Sequence, residues 1–114
     1  MQASQRLLEI EQAYGDLVQS IVPVDLDDET LRLIIYLYDD SSVRVTEQWN
    51  GAKLARYSYS WLTEANALLI GWDNSPHHKS VPTFPHHKHV GQQNDLQASQ
   101  ETCLEDVMQI VLAA

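Results

Sequence analysis

The sequence predicts a single α+β domain, residues 1–114, in which an N-terminal helix packs on an antiparallel β-meander. A loop rich in proline and histidine and then a C-terminal helix follow the sheet. Three observations carry this prediction. They are an apolar stripe of helical spacing near each end of the chain, strand-like alternation with turn signals in its middle, and a group of prolines and histidines after the last strand.

Apolar residues recur three and four positions apart near the N-terminus, which predicts a helix over about residues 3–20. This stripe consists of Leu7, Ile10, Tyr14, Leu17 and Ile21. The acidic residues 25–29 are then expected to form a connecting loop. The last helix is predicted to start at about Glu101, because Thr102 and Glu105 have the spacing of a capping box and an apolar stripe follows them.

Four segments in the middle of the chain have the composition of strands: residues 31–38, 43–49, 53–61 and 67–72. Asn50-Gly51 separates the second segment from the third and is the strongest short hairpin signal, since both residue types tolerate positive φ. We therefore expect an antiparallel sheet of three to five strands. A polar linker over residues 92–99 is expected to lead to the last helix.

All five histidines lie between Trp72 and Gly91, at His77, His78, His86, His87 and His89. Histidine can accept or donate a proton near neutral pH, so this segment is predicted to carry the chemistry of the protein. Its three prolines restrict the backbone and lower the entropy cost of holding polar groups in place. Trp72 and Phe84, which each precede a proline–histidine block, are expected to anchor the loop by packing.

Positions on predicted strands mark further candidates. If residues 87–90 are extended, His87 and His89 point to one face of the strand, and Lys88 points to the other. Tyr57 and Tyr59 also share one strand face, where they either pack in the core or stack on RNA bases.

Charge is distributed unevenly along the chain. The formal net charge of −9 argues against an architectural nucleic-acid binder, which gains its affinity by neutralising phosphates. It does not exclude a small site that cleaves RNA. Residues 51–91 alone carry a net positive charge, +2, from four basic and two acidic residues. This segment also contains every histidine.

Three interpretations of the histidine segment are open. In the first, two of the five histidines act as general base and general acid on an RNA phosphodiester without a metal, while Asp73 orients an imidazole and Lys88 or Arg56 stabilises the phosphate. In the second, two or three histidines, His87 and His89 among them, bind Zn²⁺ together with Asp73. In the third, the histidines only hold the loop against the sheet.

Cysteine content and hydropathy bear on the compartment. The single cysteine excludes an intrachain disulfide, and no apolar run approaches the ~20 residues needed to span a bilayer. The first residues also lack a basic segment followed by an apolar one. We therefore expect a cytoplasmic protein without a membrane partner.

Three blocks of the sequence resemble the TumE family of small bacterial proteins, regarded as the toxin half of toxin–antitoxin gene pairs. The blocks are Arg-Tyr-Ser-Tyr-Ser-Trp at 56–61, Trp-Asp-Asn-Ser-Pro-His-His at 72–78, and Thr-Phe-Pro-His-His-Lys-His-Val-Gly at 83–91. With the closing helix, the resemblance covers roughly residues 30–112. It implies a cytoplasmic protein with a small protein antitoxin as partner and an RNA-directed toxic activity.

From the residues and the resemblance together, we expect the toxin component of a type II toxin–antitoxin pair that acts as a metal-independent ribonuclease. No cofactor is expected, with zinc as the alternative. Two alternative functions remain open. The first is a non-catalytic metal- or ligand-binding module with the same loop, and the second is an inactive protein whose role is to pair with a partner.

Overall fold

The computed structural model describes residues 1–114 and shows one sheet, with a helix before it and a helix after it in the sequence. Helix α1 spans Ala3–Tyr14, and helix α2 spans Leu104–Ala113. Seven strands lie between them: β1 Ser20–Asp27, β2 Thr30–Tyr36, β3 Ser42–Asn50, β4 Lys53–Leu62, β5 Leu68–Asp73, β6 His87–Val90 and β7 Leu96–Ala98. The strands pair antiparallel in chain order, so the sheet is a meander. The predicted α+β fold is confirmed.

One face of the sheet carries the core. Leu33, Val45, Tyr59 and Trp72 follow one another across strands β2 to β5, and all four are buried in a cluster that also contains residues of both helices. We call this the helix face. Because side chains alternate along a strand, the neighbours of these residues project to the opposite side, which we call the open face. Its central row runs through Arg32, Thr46, Ser58, Asp73 and His87.

The first helix is shorter than predicted. It ends at Tyr14, and Gly15 at its C-cap donates its backbone N–H to Glu11. Glycine is a poor helix former, and the chain soon enters β1, where Ser20 pairs with Tyr36. The predicted helix over residues 3–20 was therefore too long, and Leu17 of its stripe is exposed.

The sheet has more strands than predicted. Residues 25–27 of the expected acidic loop instead complete β1, and the turn to β2 contains only Asp28 and Glu29. The expected polar linker contains β7. Three strands lie beyond the four predicted segments. One of them, β6, is the segment 87–90, whose extended conformation was stated only as a condition. The other two, β1 and β7, are edge strands with mostly exposed side chains, and so they lack the half-buried alternation by which a strand is recognised. The hairpin at Asn50-Gly51 is present, and Gly51 has φ +60.

A buried ion-pair network joins both helices to the sheet. Arg6 of α1 donates from Nε to Glu47 Oε1 of β3 at 2.8 Å and from Nη1 to Glu105 Oε2 of α2 at 2.7 Å. Glu47 is fully buried and also accepts hydrogen bonds from Tyr59 and Trp49. Burial alone would lower the pKa of Arg6, but the hydrogen bonds and charges of the two glutamates outweigh burial and raise it.

The predicted capping box is absent. Glu105, expected to cap α2 together with Thr102, instead binds Arg6, and Cys103 occupies the N-cap position without a side-chain hydrogen bond. The backbone N–H of Thr102 donates to Asp106. A tertiary ion pair has replaced the local cap that the spacing predicted.

Removing the charge of Glu47 should destabilise the fold strongly. In Glu47→Gln, the buried guanidinium of Arg6 loses its main counter-charge, and breaking a buried pair in this way costs about 3–5 kcal/mol. The free energy of unfolding in urea measures the loss. Glu9→Gln is the control, because that carboxylate lies 3.6 Å from Arg6 but is 46% exposed, and it should cost less than about 1 kcal/mol. Equal losses in the two variants would contradict a dominant role for the buried pair.

Candidate functional site

Asp73 lies at the centre of the open-face site. It ends β5 and pairs in register with His87 of β6. Its Oδ1 atom lies 2.9 Å from His87 Nε2, and its Oδ2 atom lies 3.6 Å from His89 Nε2. Both histidines are buried, while Lys88 between them points to the helix face, as the alternation of an extended segment predicts.

A third imidazole comes from the loop between β5 and β6. The ring centroid of His78 lies 4.7 Å from that of His87 and 5.9 Å from that of His89. One ring nitrogen from each of the three residues lies within 4.8 Å of the others. We call His78, His87 and His89 the imidazole cluster. A histidine from the loop and two histidines from β6 thus lie together beside Asp73.

Backbone carbonyls orient two rings of the imidazole cluster. His87 Nδ1 lies 3.0 Å from the carbonyl oxygen of Pro85, and His89 Nδ1 lies 2.7 Å from that of Gln93. A carbonyl only accepts, so each Nδ1 carries the hydrogen and donates. In a neutral ring the lone pair is then on Nε2, the atom that faces Asp73.

The remaining two histidines lie outside the cluster. His77 is exposed on the loop. His86 lies toward the helix face, where its Nδ1 is hydrogen-bonded to the Tyr57 hydroxyl at 2.8 Å. Burial raises the pKa of Tyr57, and burial together with the charge of His87 lowers the pKa of His86, so both partners of this hydrogen bond favour their neutral forms. The five histidines therefore do not share one site, but three of them do.

An open cleft adjoins the imidazole cluster. Its volume is about 450 Å³, and the residues that line it include Arg32, Thr46, Gln48, Arg56, Ser58 and Asp73. Arg56, which the sequence predicted as a phosphate ligand, therefore lines the same cleft as Asp73. Arg32 was missed by the sequence analysis. The alternation of β2 could have revealed it, since Arg32 lies between the buried residues Leu31 and Leu33 and so faces outward.

Three other candidates lie on the helix face. Tyr57 and Tyr59 are buried, with stacked rings 5.0 Å apart, and the structure gives them the core-packing role rather than a surface for bases. The ammonium of Lys88 binds Glu101 at 3.2 Å, and Glu101 also accepts from the Trp72 indole. Tyr59 and Lys88 do not line the cleft, whereas Tyr57 contributes to its wall.

Local hydrogen bonds fix the entry of the histidine loop. The buried side chain of Asn74 accepts from the Tyr57 amide at 2.9 Å and donates to the Ala55 carbonyl at 3.1 Å, which ties the loop to β4. Ser75 donates its amide and hydroxyl to Asp73 Oδ1 at 3.0 and 2.9 Å. Sequence analysis missed the role of Asn74, because its partners belong to another strand.

The predicted anchoring of the loop is only half right. Trp72 is buried in the core. Phe84 is 41% exposed and does not anchor the loop by burial. The second half of the loop is held by Thr83 instead, whose hydroxyl donates to the His86 carbonyl and accepts from the Ser99 amide.

Fold and site together define a small α+β protein with a one-sided meander and a histidine–aspartate site on its uncovered face. The family described as Toxin TumE matches residues 9–114, and the chain therefore belongs to the TumE toxin family. No curated protein and no solved structure matches the chain in the same comparisons. Neither helix has the length and apolar character needed to cross a membrane.

Removing the Asn74 side chain should loosen the link between the loop and β4. Asn74→Ala leaves the Tyr57 amide and the Ala55 carbonyl without their partner, which costs about 1–3 kcal/mol for buried polar groups. Faster hydrogen exchange at the Tyr57 amide, together with a lower free energy of unfolding, measures this effect. Gln97→Ala removes an exposed side chain bonded only to Asp95 and should change neither quantity. An unaltered exchange rate at Tyr57 in Asn74→Ala would refute the anchoring role.

Proposed function

We propose that the protein is a toxin that cleaves RNA in the open-face cleft, with Arg32 and Arg56 holding a phosphate and the imidazole cluster supplying the reactive groups. One observation carries the proposal: Asp73 belongs both to the wall of the cleft and to the contacts of the imidazole cluster. A phosphate bound by the arginines in this cleft is therefore next to groups that transfer protons or bind metals.

Electrostatics supports a phosphate at this place. Neither Arg32 nor Arg56 forms an ion pair within the chain, so both guanidiniums are free for an external anion. Guanidinium binds phosphate oxygens in a bidentate manner, which fixes orientation as well as charge. With a net charge of −9, the protein as a whole repels RNA, and these two side chains supply attraction only at the cleft.

Cleavage of RNA needs two proton transfers. The ribose 2′ oxygen loses its proton and attacks the phosphorus, the bond from phosphorus to the 5′ oxygen breaks, and that oxygen takes up a proton. The products are a 2′,3′-cyclic phosphate and a 5′ hydroxyl. The arginines stabilise the negative charge that builds on the phosphate oxygens.

The sequence favours a metal-free scheme in which histidines carry both protons, with zinc as the alternative. In either scheme, Asp73 borders the cleft and the imidazole cluster lies against Asp73, and so we assign the chemistry to these groups. His77 and His86 are not part of this proposal, because one is exposed on the loop and the other binds Tyr57. We also propose a small protein antitoxin as partner, since the chain belongs to a toxin family.

An inactive interaction protein is the competing function, and loss of the arginines separates it from an RNA-cleaving toxin. Purified Arg32→Ala and Arg56→Ala variants should each cleave a labelled RNA oligonucleotide roughly 10²–10³-fold more slowly than wild type, because each loses a group that stabilises developing charge. The readouts are the initial rate and the presence of a 2′,3′-cyclic phosphate end.

Arg44→Ala is the matched control for both arginine variants. Arg44 lies on the same face of the sheet but outside the cleft, so its removal should leave the rate unchanged. The same three variants, induced in growing bacteria, should restore growth only where cleavage is lost. Intact RNA and normal growth on induction of wild type would contradict the proposal, and so would equal effects of Arg44→Ala and Arg56→Ala.

A further inference from the structure

The imidazole cluster contains an unpaired buried nitrogen. His87 is 1% exposed, and its Nε2 atom makes no hydrogen bond, although Asp73 Oδ1 lies only 2.9 Å away. The distance between the two atoms is short enough for a hydrogen bond, so the bond is absent because the Nε2 atom is not directed at the carboxylate oxygen. Buried polar groups in proteins almost always have a partner, and an orphan of this kind calls for an explanation.

The tautomers of His87 and His89 are a second unusual feature of the cluster. Pro85 and Gln93 hold the hydrogens of His87 and His89 on Nδ1, so in the neutral rings each Nε2 carries a lone pair and lies within 3.6 Å of the Asp73 carboxylate. Ser75 donates its amide and hydroxyl to Asp73 Oδ1, but nothing donates to the lone pair of His87 Nε2. A cation bound by the imidazoles and the carboxylate together would satisfy these acceptors.

A proton fits this position poorly. A hydrogen on His87 Nε2 would not point at Asp73 with hydrogen-bond geometry. His89 Nε2 is 3.6 Å from the other carboxylate oxygen, beyond hydrogen-bond length. A metal ion differs from a proton because it can accept several lone pairs at once from different directions.

We propose that His78, His87, His89 and Asp73 bind one transition-metal ion of the zinc class. Three imidazole nitrogens and one carboxylate oxygen are a donor set that zinc prefers, whereas magnesium and calcium prefer oxygen ligands. The carbonyls of Pro85 and Gln93 serve as the outer partners that orient metal-binding imidazoles.

The geometry requires only a small contraction. Tetrahedral ligands at about 2.0–2.1 Å from zinc lie roughly 3.3 Å from one another. His87 Nε2 and Asp73 Oδ1 are already closer than that, and the three imidazole nitrogens lie within 4.8 Å of one another. His78 belongs to the loop rather than to a strand, so it can move toward the ion while His87 and His89 stay fixed by the sheet.

This inference rests on the site of the proposed function and makes its chemistry metal-assisted rather than metal-free. A bound dication would lie beside Asp73 at the end of the cleft, where it adds positive charge next to the phosphate held by Arg32 and Arg56. The ion would then polarise the phosphate or the attacking oxygen.

Metal binding itself tests the proposal, without reference to activity. Full-length protein without a histidine tag is stripped with a chelator, dialysed and titrated with zinc chloride by calorimetry, and its metal content is then measured by mass spectrometry. We expect one zinc per chain, a raised melting temperature on binding, and a tetrahedral visible spectrum when cobalt replaces zinc.

The neighbouring histidines provide matched variants. His78→Ala changes a half-buried loop residue, and it should weaken zinc binding by at least 10–100-fold while circular dichroism shows an unchanged fold. His77→Ala, one position away and exposed, should bind zinc as wild type does. Asp73→Asn tests the fourth ligand, with circular dichroism as the check on folding.

The proposal is overturned if stripped wild type takes up less than one zinc per chain, or if His77→Ala weakens binding as much as His78→Ala. These outcomes are separate from the test of RNA cleavage. Cleavage that persists in chelator by protein shown to be metal-free would remove the metal and leave the arginine cleft intact. One zinc per chain in a protein that cleaves no RNA would do the reverse.

Discussion

The buried pair between Arg6 and Glu47 sets the layout of the whole molecule. A single guanidinium on α1 binds a fully buried carboxylate in the middle of the sheet and a second carboxylate, Glu105, on α2. Two buried charges are stable only when their hydrogen-bonding groups are satisfied, and here Tyr59 and Trp49 complete the set around Glu47. Both helices are thereby held on one face of the sheet, and the other face is left for the site.

Because side chains alternate along each strand, one face of the sheet carries the core residues and the other carries the residues of the site. Trp72 enters the core, and the next residue, Asp73, is on the open face beside the imidazole cluster. Tyr57 is likewise buried while its neighbour Arg56 lines the cleft. The packing that stabilises the core therefore also fixes the position of the functional side chains.

Sequence patterns predicted the order of elements well where one side of an element is buried. The helical stripes, the alternation in β3 and β4 and the turn at Asn50-Gly51 all had clear signals, and the corresponding elements are present. The end of α1 and the edge strand β1 had none, because β1 is exposed nearly throughout, contains a proline and ends in acidic residues. Burial produces the pattern, so exposed edge strands are hard to predict.

The composition of the sequence indicated the segment that contains the site, but it could not show which of the five histidines converge there. The segment with all five histidines does contain the imidazole cluster, and Asp73 does lie against it. Which histidines converge depends on the path of the loop and on the pairing of β5 with β6, and neither is encoded at a fixed spacing. His86 and His87 are adjacent in sequence, yet one binds Tyr57 and the other faces Asp73.

The most direct test of the account is a crystal structure of the protein with a short RNA in which 2′-deoxy substitution blocks cleavage. We predict that one phosphate lies between the guanidiniums of Arg32 and Arg56, within hydrogen-bond distance of both, and that the adjacent 2′ position faces Asp73 and the imidazole cluster. An RNA bound on the helix face, or bound in the cleft without contact to either arginine, would contradict the assignment of this face as the functional one.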